Sequence, residues 1–374
     1  MRIIVISTSK IPSTTANSIQ VMKVCQAYRQ LGHEVQLFVP GDTVFDWAEI
    51  QKQYGLSSQF TIAWFAANRR MHRYDFAWNA VYMAKSYHAD IIHTWTPQAT
   101  YFSLLRKIPV LMELHELPSG KFGPILYRQI FINNNRKRFL SITDGLKRKY
   151  EEQYRFTFHP DEICISPDGV DIERYQNLPS ANQARIKLGL PDRWSVAFTG
   201  HFYQGRGTDL LYGLAKQLPH IQFIWVGGRE EDLEFWREKI RCEEIKNIVI
   251  TGFIHNELIP LYQSAGDILL MPYSRRISGS SGGNIAEVFS PMKMFEYMAA
   301  RRTIICSDLP ILHEVLNEKN AIFCEPEELS AWSEAINRVS QNETLQKILA
   351  NQSWEDVQQY SWIERAKNGL EGFV

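Results

Sequence analysis

The chain has 374 residues, 45% of them hydrophobic and 22% charged, with 41 basic and 41 acidic side chains that cancel at neutral pH. That length exceeds one compact core and suits two domains, and the apolar share excludes a disordered chain. The charge balance excludes the general basic excess of a nucleic-acid binder. Arg2–Ser7 reads as an opening strand, with none of the build of a secretory leader before it. A helix is expected over 18–31, where Val21, Val24, Cys25, Tyr28 and Leu31 recur at helical spacing and Asn17 or Ser18 would cap it. Strand-like runs follow at 33–39, 91–95, 110–114, 140–142 and 163–166, with helical stretches between them. The basic runs Arg136–Arg138 and Lys147–Lys149 read as solvated helix faces, with contact to a membrane or an anionic substrate as the second reading. Asp168-Gly-Val-Asp171 reads as a hinge, after which the strand series restarts at 195–199, 222–226, 247–251, 267–271, 303–306 and 321–323.

Alternation of this kind predicts an α/β fold of two doubly wound, Rossmann-like domains facing across a cleft. The boundaries place residues 1–167 in the first domain, joined by a last helix at about 358–374, and residues 168–357 in the second. Ser278–Asn284 reads as a flexible loop. Five scattered cysteines without a CxxC pair point to a reducing compartment and to no zinc site. No apolar run reaches the length of a membrane span, so the expectation is a cytoplasmic protein, peripheral at most on the inner membrane face.

Three stretches carry chemistry. From Gly200 onward a glycine-rich turn follows a strand and opens a helix, resembling a phosphate loop. Its Lys and Ser/Thr positions fall on Arg206 and Gly207, which excludes that ATP-binding motif and leaves a cation at a strand end, suited to a phosphate. Val110–Leu114 runs into His115, an imidazole at the expected cleft edge. Gly227 and Gly228 close another strand and would let a ligand ring approach the backbone. The third stretch is a helix opened by Ser290 as N-cap and Pro291 at its first position. It is apolar on most sides yet carries Glu296, and a buried carboxylate needs a partner. Its free N–H groups, at Met292 and Lys293, suit a phosphate; Glu296, roughly 6 Å further along, sits at the reach of the same nucleotide's ribose hydroxyls. Water or Lys293 would substitute for the ribose, and a surface Glu296–Lys293 pair is the plainer alternative. The chain has no Asp-x-Asp pair for a metal-bridged diphosphate, so Arg206 and this helix terminus would meet that charge.

Taken together the chain resembles the family 4 glycosyltransferases, retaining enzymes of the GT-B fold. The resemblance runs through Gly32-His33-Glu34-Val35, His115, Pro167–Asp171, Gly205-Arg206-Gly207, Ser290–Ala299, Ile304–Asp308 and the final Tyr360–Arg365. It implies a metal-independent, retaining transfer from a nucleotide-diphosphate sugar of the UDP or GDP type, with no further cofactor. His115, Arg206 and Glu296 would be the catalytic set. Gly200, His201, Gly205, Gly227, Gly228, Ile254, Met292 and Lys293 would form the donor side, and Thr15, Ala16, Asn17 and Ser18 a loop on the acceptor side. Val288 stands where the family often has a first glutamate, His201 where an Arg is common, and Arg206 in place of the usual lysine. The acceptor stays open among glycan, lipid and small metabolite. Two other functions stay open with it: a sugar-nucleotide epimerase of similar architecture, and a non-catalytic sugar-nucleotide-binding protein, the one Val288 favours.

Overall fold

The computed structural model describes residues 1–373 except 119, 121 and 279–283. The chain divides into two compact units, Met1–Asp168 with Trp362–Val374, and Gly169–Ser361.

The first unit is a seven-stranded parallel sheet. Its strands are β1 (Arg2–Ile6), β2 (Glu34–Pro40), β3 (Thr61–Phe65), β4 (Ile91–Thr94), β5 (Val110–Leu114), β6 (Lys137–Ser141) and β7 (Ile163–Ile165), in the order β3-β2-β1-β4-β5-β6-β7. The order reverses at β1, where a doubly wound sheet places its ligand. Crossover helices are α1 (Ala16–Gln30), α2 (Trp47–Tyr54), α3 (Tyr74–Ser86), α4 (Pro97–Leu105), α5 (Gly123–Phe131) and α6 (Asp144–Tyr154). Residues 3–6 of β1 form a continuous apolar run because both faces are covered, and β5 is apolar except at Glu113.

Local chemistry departs from expectation at three places. Helix α1 begins earlier than expected: Thr15 is its N-cap, accepting the Ser18 N–H, so Ala16, Asn17 and Ser18 form its first turn and not a loop. Ser18 turns its hydroxyl back onto the Ser13 and Thr15 carbonyls. β3, Thr-Ile-Ala-Trp-Phe, lies at the sheet edge and was not expected as a strand. Lys137 and Arg138 are not on a solvated helix; they are buried in β6, where Lys137 reaches the Asn133 carbonyl and Glu162, and Arg138 the Gly369 and Glu371 carbonyls. Lys147–Lys149 do lie on a helix, α6.

The second unit repeats the plan with six parallel strands: β8 (Ser195–Thr199), β9 (Gln222–Val226), β10 (Ile248–Ile250), β11 (Ile268–Met271), β12 (Thr303–Ser307) and β13 (Ile322–Cys324). Their order is β10-β9-β8-β11-β12-β13. Its helices are α7 (Ala181–Leu188), α8 (Thr208–Gln217), α9 (Glu230–Cys242), α10 (Ile259–Ala265), α11 (Met292–Ala299), α12 (Leu329–Ser340) and α13 (Glu343–Val357). The chain then returns to the first unit as α14 (Trp362–Leu370), which packs on α1. Gly369 of that helix lies over the Leu140 side chain. Of the stretch read as a flexible loop, 279–283 lie outside the described residues, while Ser278 and Asn284 pair as an isolated bridge. Among the described residues no helix is long and apolar enough to cross a membrane.

Candidate active site

In the second unit the residues singled out from the sequence gather around the end of β8. Gly200 follows Thr199 with φ +140°, and a Cβ there would stand 2.8 Å from the Lys293 Nζ. The loop ends at Gly207, the left-handed N-cap of α8, where a Cβ would overlap the Pro272 carbonyl at 1.8 Å. Between these points the loop presents His201 and Arg206. The Arg206 guanidinium donates to the Tyr203 hydroxyl at 2.8 Å and lies 4.9 Å from that ring and 5.3 Å from the Tyr273 ring. The His201 ring stacks on Tyr203, with centroids 5.5 Å apart.

Helix α11 delivers Lys293 and Glu296. Pro291, not Ser290, is its N-cap, one residue later than expected and without a side-chain cap bond. Met292 is half-buried at its first position. Lys293 is not on a surface face: its ammonium is buried 3.9 Å from the centroid of the Phe198 ring. Burial first, and the Arg206 charge second, push the Lys293 pKa well down, with Glu296 opposing. Burial also lowers the His201 pKa, helped by Arg229, Lys293 and Arg206. His201 Nδ1, Arg206 Nε and Lys293 Nζ are all buried without a hydrogen-bond partner in the structure. Three basic groups so placed form a receptor for an anion.

Glu296 answers to Gln263 and not to a Lys293 pair. The Gln263 amide donates to Glu296 Oε2 at 2.9 Å and to Thr199 Oγ1 at 3.3 Å, while its own oxygen accepts the Tyr175 hydroxyl at 2.9 Å. The Tyr297 hydroxyl accepts the Thr199 N–H at 2.8 Å, tying α11 to the end of β8. Tyr175, Gln263 and Tyr297 escaped the sequence reading; the one signal was a glutamine inside the apolar helix α10. Gly227 and Gly228 permit close approach by protein, since a Cβ would meet the Gly200 carbonyl at 2.6 Å and Phe202 at 2.6 Å. Ile254 packs, half-buried, against the core of this unit.

In the first unit His115 stands one residue beyond β5, about a quarter exposed. Its Nε2 lies 3.2 Å from Glu113 Oε2 and 3.2 Å from the Gln20 amide nitrogen. Glu113 precedes it by two residues, the period that puts two side chains on one face of a strand. That spacing was the available signal for Glu113, a residue the sequence reading passed over. Asn17, also in this unit, accepts from the Ser9 hydroxyl.

A family model for glycosyl transferases group 1 matches residues 193–342, and one for Glycosyltransferase Family 4 matches residues 18–174. The chain is 24% identical over 294 residues to the alpha-galactosylglucosyldiacylglycerol synthase of Streptococcus pneumoniae, covering 73% of this chain and 74% of that one. It is 24% identical over 202 residues to a putative teichuronic acid biosynthesis glycosyltransferase of Bacillus subtilis, covering 53% and 46%. Among solved structures, a glycosyltransferase from Rickettsia africae superimposes with a TM-score of 0.77 at 15% identity, over 100% of this chain and 97% of that one. Anabaena HepE in complex with UDP gives 0.75 at 15% identity, over 100% and 99%. Both units thus carry the matches, each on its own parallel sheet, and the chain belongs to the family 4, group 1 glycosyltransferases of GT-B fold.

Proposed function

We propose that this glycosyltransferase moves a sugar from a UDP- or GDP-type donor to an acceptor hydroxyl, with retention of anomeric configuration and without a metal ion. The second unit takes the donor and the first the acceptor. The observation that carries the reading is the trio of buried basic nitrogens without a hydrogen-bond partner, His201 Nδ1, Arg206 Nε and Lys293 Nζ. A diphosphate supplies the acceptors they lack. As the bond from sugar to phosphate lengthens, charge builds on the leaving oxygen, and Arg206 and Lys293 stabilise it there. With these cations in place the chemistry has no need of a metal bridge. Glu296, held by Gln263, offers two oxygens to the ribose hydroxyls. Retention is taken from the family.

A lipid-borne acceptor is the reading favoured by the names of two relatives, the synthase above and a processive diacylglycerol alpha-glucosyltransferase of Acholeplasma laidlawii. It also fits the first unit, where Trp78 and Tyr82 on α3, Leu105 on α4, and Phe122, Ile125 and Ile132 around α5 are exposed, as are the basic Arg70, Arg73 and Lys107. Exposed apolar and cationic side chains together suit an anionic membrane surface.

The test incubates metal-stripped protein in EDTA with UDP- and GDP-sugars, with and without diacylglycerol vesicles, and assays released nucleoside diphosphate. The expected result is release that depends on the acceptor, with proton NMR of early product showing the donor's anomeric configuration. An absolute need for added Mg²⁺ would remove metal independence, and an inverted product would remove retention. Turnover of the sugar nucleotide without any acceptor would identify an epimerase, and tight binding without turnover a binding protein.

A further inference from the structure

The first unit contains a buried charged assembly that the donor site does not use. Glu113 on β5 is fully buried, and its carboxylate accepts four bonds. Oε1 receives Arg365 Nη1 at 2.7 Å and His93 Nε2 at 3.0 Å; Oε2 receives Arg365 Nη2 at 2.8 Å and His115 Nε2 at 3.2 Å. Arg365, on α14, spends its other donors on the Ser166 and Pro167 carbonyls at 3.0 and 2.7 Å. The Tyr28 hydroxyl lies 2.7 Å from His93 Nδ1 and donates to it, which assigns the hydrogen of His93 to Nε2. Burial works to raise the Glu113 pKa, but the Arg365 charge and the bonds from both histidines outweigh it and hold the carboxyl ionised.

A buried ion pair gains little stability over an apolar pair of the same volume. Its use lies in whatever it orients. Of Glu113, Arg365, His93 and His115, the first three are buried to 4% exposure or less, and His115 alone reaches solvent, at 28%. We infer that Glu113 and Arg365 are positioning residues for His115, fixing its ring plane and its tautomer. A carboxylate only accepts, so His115 carries its hydrogen on Nε2 and turns a lone-pair Nδ1 to whatever approaches. Arg365 keeps the carboxylate ionised and its plane fixed through two parallel bonds. Gln20 stands on another side of the ring, oriented by its own bonds: its oxygen accepts the Trp95 indole N–H at 3.0 Å and its amide donates to Asp168 at 2.6 Å, so that with the hydrogen on His115 Nε2 the 3.2 Å approach of the two nitrogens is a contact and not a hydrogen bond. The terminal helix therefore sets the state of a residue that the family resemblance counts in the catalytic set.

This inference rests on the reading of His115 as a site residue, and the two fail differently. If His115→Ala keeps full activity, the site reading fails. The inference itself is tested by ¹⁵N NMR of the His115 imidazole in the wild-type protein at alkaline pH. The expected result is the Nε2–H tautomer; an Nδ1–H ring overturns the proposal with no variant needed. Glu113→Gln is expected to shift the tautomer and to lower kcat roughly a hundredfold, the scale of a small misplacement, with nucleotide affinity unchanged. Arg365→Lys keeps the charge but loses the fork, and is expected to retain the tautomer with a smaller loss of kcat. A Glu113→Gln protein with unaltered tautomer and kcat overturns the proposal.

Discussion

The two units hold buried charge in opposite ways. In the first, the Glu113 carboxylate accepts four bonds and each nitrogen of the Arg365 guanidinium has a partner, so the assembly is complete without a ligand. In the second, His201, Arg206 and Lys293 keep buried nitrogens with no partner at all. Paired charge fixes geometry; unpaired charge of one sign waits for its counter-ion. The difference separates a scaffold for a side chain from a receptor for an anion, although both are buried groups at the ends of parallel strands.

Removing one partner distinguishes the two arrangements most sharply. Arg365→Met leaves Glu113 buried without its cation and is expected to lower stability by about 3–5 kcal/mol, read from urea unfolding. A loss under 1 kcal/mol would mean the carboxylate finds water or a proton at no cost, and the pairing would not be what holds it. In the second unit the heaviest effect should fall on turnover. Arg206→Ala is expected to reduce kcat by roughly ten- to a thousandfold and to weaken nucleotide binding less, measured by steady-state kinetics and calorimetry. Equal loss in both would reduce Arg206 to a binding group.

Titration sharpens the contrast. Burial, more than any neighbour, raises the Asp168 pKa from 3.8 to about 6. The fold keeps a proton there that the unfolded chain has released, so stability falls as pH rises through that window. Asp168→Asn is expected to abolish that fall, by up to about 3 kcal/mol between pH 4 and pH 7. Equal pH dependence of the thermal midpoint in both proteins would place the proton elsewhere. Lys293 has the opposite sign. Its pKa lies below the ordinary 10.5, so the unfolded chain binds a proton that the fold does not, and stability rises with pH between the lowered value and 10.5. Lys293→Met is expected to stabilise the ligand-free protein by about 1–3 kcal/mol below that window, the gap closing above it. A destabilised variant would show that the ammonium has a partner after all.

What the sequence made legible follows from the range of each interaction. Alternating apolar runs placed most strands, because a parallel sheet buried on both faces writes itself as continuous hydrophobic stretches. β3 was missed although residues 62–65 form an apolar run; at the sheet edge it is only partly covered. Lys137 and Arg138 misled because a charged triplet looks solvated when read locally, while two of Arg138's partners lie 231 and 233 residues away. Glu296 was visible as an anomaly, but Gln263, 33 residues before it, was not. The same holds for Arg365 and Glu113, 252 residues apart. Arg206 and Lys293 were legible because glycine turns and helix starts are local signals; that they meet at the Tyr273 ring was not.

The return of α14 to the first unit has a consequence for the growing chain. Gly169–Ser361 is one unbroken stretch and can complete its core as soon as it leaves the ribosome. The first unit cannot, because Arg365, the counter-charge for Glu113, is synthesised only after all of the second unit. Until then the Glu113 carboxylate on β5 resists burial, and α1 lacks the helix that packs on it. We expect the later half of the protein to consolidate before the earlier half. Chains truncated after Ser361 and released from the ribosome should show it under limited proteolysis, with a resistant 169–361 fragment beside a digestible 1–168; equal resistance of both would mean that the first sheet closes without its last helix.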